Sequence, residues 1–96
     1  MSITKLTRSI DSLISLIAYS KKPWFGATLP AGKIADSIEI RTEGTICTLL
    51  TSTEDEDVLV DTNLTGVELG KGEVITYDNR FKAATFSTGV KFNLIN

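Results

Sequence analysis

Histidine is absent from this 96-residue chain, and cysteine, tryptophan and methionine occur once each. Without an imidazole the Ser-His-acid and Cys-His catalytic arrangements are impossible, the usual general base is missing, and zinc loses its main nitrogen ligand. The lone thiol, Cys47, can close no intrachain disulfide and supports no four-thiolate metal site. Its place in the apolar run 46–50 reads as a small buried hydrophobe. A basic excess is also missing: ten Lys and Arg stand against twelve Asp and Glu, a formal charge of −2. Phosphate backbones find no electrostatic footprint in such a chain, so nucleic acid is not an expected partner. No apolar run reaches the ~20 residues of a membrane-crossing helix, and no membrane partner is expected. Asp11 and Ser15 interrupt the stretch that a secretory leader would use. Walker and dinucleotide glycine motifs are lacking, because Gly70 and Gly72 open a strand and not a helix. The expectation is a protein that is no enzyme and needs no cofactor.

The hydrophobic period changes at Pro23. Before it, Ile3, Leu6, Ile10, Leu13 and Ile17 fall at alternating spacings of three and four, the seam of a short coiled coil or bundle helix. Ile14 and Leu16 widen that face beyond what a two-stranded coil requires. Ser, Thr and Ile dominate the segment and are indifferent helix formers, so the helix needs a surface to pack on, either another chain or its own sheet. Lys21 and Lys22 suit the negative end of a helix dipole, and Pro23 cannot continue the helix. Trp24 and Phe25 follow, as an anchor for another chain or as a plug that fixes the helix.

After Pro23 the period is two. Ile38 and Ile40 flank Glu39, and Val90, Phe92 and Leu94 alternate with Lys91 and Asn93, as in half-buried strands. Further strands are expected at 45–51, 58–60, 73–77 and 82–86, with glycine turns at Gly44 and Gly89 read as hairpins. Residues 29–34 are echoed by 69–74, with leucine, glycine and a β-branched residue in matching places; chance reuse of turn glycines is the rival explanation. The predicted fold is mainly β: an antiparallel β-sandwich or small jelly roll over 23–96, preceded by an N-terminal amphipathic α-helix over 1–22 that oligomerises or anchors.

The run Glu54, Asp55, Glu56 and Asp57, with Asp61 beyond, is the densest charge feature. It lacks the ligand order of an EF-hand and reads as a solvated loop, or as a patch complementary to the basic N-terminal region of a neighbour. Trp24, Phe25 and Tyr77, with Asp78, Asn79 and Arg80 near the last, are the rings a sugar-binding site would use; packing is the plainer role for them.

At Leu29-Pro-Ala-Gly-Lys-Ile followed by Ser37-Ile-Glu-Ile, and at Gly72-Glu-Val-Ile followed by Ala84-Thr-Phe-Ser-Thr-Gly-Val, the chain resembles small β-rich virion proteins of tailed bacteriophages. The resemblance covers roughly the final two thirds and rests on no diagnostic signature. It implies a structural virion protein: a capsid decoration, head-fibre or adaptor subunit, commonly a homotrimer, that binds capsid or tail subunits and has neither cofactor nor catalytic residues. The expected interface residues are Ile3, Leu6, Ile10, Leu13, Ile14, Leu16, Ile17, Trp24 and Phe25. The alternative is a monomeric β-sandwich that binds a ligand such as a carbohydrate.

Overall fold

The computed structural model describes the backbone of residues 6–10 and the whole of residues 22–96. It is mainly β, an antiparallel sheet built from β1 (Leu6–Ile10), β2 (Lys22–Thr28), β3 (Ala35–Glu39), β4 (Thr45–Ser52), β5 (Glu68–Leu69) and β6 (Glu73–Leu94), with one short helix among the described residues, α1 (Val58–Asp61). β6 organises the rest: β1, β2, β3 and β4 all pair with it, and β5 joins through β4.

A straight strand of the length of β6 would span about 70 Å, yet the longest dimension of the molecule is 32 Å. The strand therefore bends. One bend lies at Arg80, whose φ of 57° is left-handed, and a bulge separates the pairs Gly26–Val90 and Thr28–Thr85. These irregularities let β6 flank β3 on both sides. Ile38 faces Ile75 on one side and Phe92 on the other, and Glu39 faces Val74 and Lys91. Partner numbers fall as those of β3 rise, so β3 runs antiparallel to both stretches.

The pleat then sorts side chains by row. Trp24, Phe92, Ile38 and Ile75 stand in one cross-strand row, and the last three are fully buried. Phe25, Lys91, Glu39 and Val74 form the next row, on the opposite face. Phe81, Leu50, Leu69 and Val58 complete the core, burial that supplies most of the favourable free energy of a domain this small.

A third row holds a buried polar pair. Asn93 Nδ2 donates to Ser37 Oγ at 2.8 Å, while Asn93 Oδ1 is buried without a partner. Ser37→Ala is expected to lower stability by about 1–3 kcal/mol, because the amide then loses its acceptor as well. Adding Asn93→Leu is expected to recover that loss, since removing both partners leaves nothing buried and unpaired. Urea denaturation of the two variants checks both outcomes.

The echo between 29–34 and 69–74 corresponds to two like turns. Lys33 N–H donates to Pro30 O at 3.2 Å and Glu73 N–H to Gly70 O at 3.0 Å. The third residue of each turn, Gly32 or Gly72, has φ of 81° or 91°, the left-handed value that glycine reaches without strain.

Several expectations are corrected. Residues 58–60, read as a strand, form α1: the Asp57 carboxylate accepts from Val60 N–H, and a capped turn buries the adjacent Val58 and Leu59 together, which alternation cannot do. Gly89 makes no hairpin and lies inside β6. The turn at Gly44 is real, with φ of 81°, but it joins strands that do not pair with each other; β3 and β4 each pair with β6 instead. The helix expected over 1–22 lies mostly outside the described residues and is not among these corrections; of its span, Leu6–Ile10 form a strand opposite residues 73–77. Leu6 and Ile10 are four apart, a spacing shared by one helix face and one strand face, and Thr7 and Ser9 favour no helix. Ile3, Leu13, Ile14, Leu16 and Ile17 lie outside the described residues.

Candidate functional site

β2 carries two exposed aromatic side chains, Trp24 and Phe25. It pairs through Lys22, Pro23, Trp24, Phe25 and Gly26 with Leu94 down to Val90 of β6, and with no other described strand. Pro23 fits such a place, since a proline within a sheet is confined to an edge. Neighbours along a strand point to opposite faces, so Trp24 and Phe25 flank the edge, one on each side. They are 46% and 57% exposed. The Trp24 indole lies beside Gly26, where an added Cβ would stand 3.4 Å from Nε1.

Phe25 has a cation over its ring: the Arg41 guanidinium carbon lies 4.9 Å from the centroid. A stack of this kind at an exposed site is worth about 0.5–1 kcal/mol and holds the guanidinium in place. Arg41 also lines a cleft of about 230 Å³ with Glu39, Ile40, Lys71 and Gly72. The wall of that cleft is stiffened by two carboxylates that cap its turn. Glu73 Oε1 accepts from Gly70 N–H at 2.8 Å, and Glu43 Oε1 accepts from Lys71 N–H at 3.0 Å. Glu39 lies 3.8 Å from Lys91, so the carboxylates near the cleft are engaged.

The acidic run folds into a separate corner. Ser52 Oγ donates to Glu56 Oε1 at 2.8 Å and accepts from the N–H groups of Glu54 and Glu56. Asn79 Nδ2 donates to the same carboxylate oxygen at 2.8 Å. The Asn79 and Ser52 bonds hold the Glu56 carboxyl below its usual range, so their stabilisation is present at neutral pH and fades as acid protonates the group. Lys82 pairs with Asp55. Among the described residues no three His, Cys, Asp or Glu side chains gather in a group able to hold a metal.

No family model, curated protein or solved structure matches this chain.

Of the residues singled out by sequence, Trp24 and Phe25 therefore share one exposed edge. Tyr77 does not join them: it is buried, its ring stacked at 6.0 Å on Phe81, and burial raises its pKa, helped by Glu56, Asp61 and Asp78. Arg41 and Lys71 were not legible as site residues, because only the pairing of β2 and β3 with the same stretch of β6 brings Arg41 over Phe25, and only the turn before β6 brings Lys71 to the cleft that Arg41 lines. None of the helices among the described residues is long and apolar enough to cross a membrane.

Proposed function

We propose that the chain is a homo-oligomeric structural protein, a trimeric capsid-decoration, head-fibre or adaptor subunit of a tailed-phage virion that binds neighbouring virion proteins, with its β domain arranged as a sandwich or small jelly roll. The observation that carries this reading is the exposed aromatic pair on β2, a strand with one partner among the described residues. Trp24 and Phe25, with Arg41 held over the latter, are the residue types enriched at the energetic centres of protein interfaces. Such rings left in solvent cost hydration free energy that a partner surface recovers. Both the virion setting and the trimer rest on the resemblance carried by the leucine-proline-alanine-glycine corner and the closing strands.

Light scattering across a concentration series tests the assembly. The wild-type chain is expected at three times 10.4 kDa, and Trp24→Ser with Phe25→Ser is expected to be a folded monomer by circular dichroism. A wild-type monomer at every concentration, or glycan binding by that monomer lost on Trp24→Ser, would replace the assembly reading with a ligand-binding one.

A further inference from the structure

Two surfaces of the molecule match each other. They lie on opposite flanks of β6, since Thr85 pairs with Thr28 of β2 on one side and with Leu49 of β4 on the other. On the β2 flank, Phe25 carries Arg41 over its ring, and Arg41 and Lys71 both line the cleft. Neither cation has an ion pair among the described residues, and the nearby Glu39, Glu43 and Glu73 are held by Lys91 and by the turn N–H groups of Lys71 and Gly70.

On the β4 flank sits α1, tied to β4 by the bridge between Thr51 and Asp57. Its Val60 is 64% exposed, the most exposed large apolar side chain described. Asp57 and Asp61 stand at either end of the helix, and Glu54 precedes it. Asp55 is taken by Lys82, Glu56 by Asn79 and Ser52, and Asp57 by its own cap. Glu54 and Asp61 keep exposed carboxylates with no ion pair among the described residues.

We propose that the α1 corner of one copy docks on the β2 edge of the next, with Val60 entering the cleft and with Asp61 and Glu54 facing Arg41 and Lys71. The inference rests on the homo-oligomeric reading above and names its interface. One face is apolar with unpaired cations and the other apolar with unpaired carboxylates, so association buries both apolar groups and pairs the charges. The two patches differ, which makes the contact head-to-tail; a three-fold rotation closes such contacts into a ring.

Charge reversal on full-length protein tests the match. Arg41→Glu with Lys71→Glu, and separately Glu54→Lys with Asp61→Lys, are each expected to raise the concentration at half-assembly by about tenfold or more. Both pairs of changes together in one chain restore complementarity and are expected to bring that concentration back towards the wild-type value. Val60→Ser is expected to weaken assembly without changing its salt dependence. An oligomer whose assembly ignores all of these changes overturns this interface and leaves the homo-oligomer standing. Failure of the combined variant to recover, with its fold intact by circular dichroism, also overturns it. A wild-type chain that never associates removes both readings.

Discussion

Phe92→Ala is expected to lower unfolding stability by about 3–5 kcal/mol, measured by urea denaturation at neutral pH. Phe92 is fully buried, its ring lies 6.0 Å from that of Phe86, and it stands between Trp24 and Ile38 in the central apolar row of the sheet. Truncation removes the apolar transfer term, the edge-tilted contact with Phe86 and the support beneath Trp24, and leaves a cavity that three paired strands cannot collapse. A domain of this size has a total stability of roughly 5–10 kcal/mol, so the variant is expected to sit close to its unfolding transition at 37 °C. Phe25→Ala is the informative contrast. Its ring is exposed, and the monomer is expected to lose no more than about 1 kcal/mol, the Arg41 stack included.

The second large effect is alkaline. Burial pushes the Cys47 thiol from 9.0 up to about 12, so the folded chain keeps the proton over a range in which the unfolded chain has released it. The resulting stabilisation is complete below pH 9. It falls by about 1.4 kcal/mol per pH unit above that, and about 4 kcal/mol has gone by pH 12. Unfolding of wild type and Cys47→Ala in urea from pH 7 to 11 isolates the group, because every other side chain is common to the two proteins. Cys47→Ala is expected to be the less stable at pH 7, by the lost packing of the sulfur, and the gap is expected to close as pH rises. Parallel pH profiles would show that the thiol is not held in its neutral form. For the same reason a thiol reagent at pH 8 is expected to label Cys47 only after unfolding, since the thiolate is the nucleophile.

How much of this was legible beforehand varies with the length scale of the interaction. The strands at Ile38 and at Val90, Phe92 and Leu94 follow from strict alternation, which reports the two faces of a pleat whatever the partner. The two glycine turns are readable for a similar reason: they depend on the φ of Gly32 and Gly72 and on one local hydrogen bond. The segment at 58–60 was misread because Val58, Leu59 and Val60 are good strand formers, and the deciding residue was Asp57, whose side chain caps a helical turn. Gly89 misled in the opposite direction. A glycine with an ordinary negative φ can lie inside a strand, and only the partner strands beside β6 require it to stay there.

Trp24 and Phe25 could be singled out in the sequence but not placed. Whether an aromatic pair is a plug or an exposed edge depends on which strand lies beyond it, and β2 has a described neighbour on one side alone. Arg41, Lys71 and Val60 carried no signal, since isolated charges and a single valine on a short helix are the commonest features of any surface.

The amino-acid order alone settles that the chain is mainly β, that Cys47 forms no disulfide within its own chain, and that a histidine-based mechanism cannot operate, because composition and period-two alternation act within a few residues. The three-dimensional pairing decides the rest: that one bent strand serves both sides of β3, that residues 6–10 extend along it, that Tyr77 is enclosed while Trp24 and Phe25 are not, and that Arg41 comes to lie over Phe25. Those outcomes depend on contacts between residues tens of positions apart, whose free energies exceed local preference and leave no mark in the local pattern.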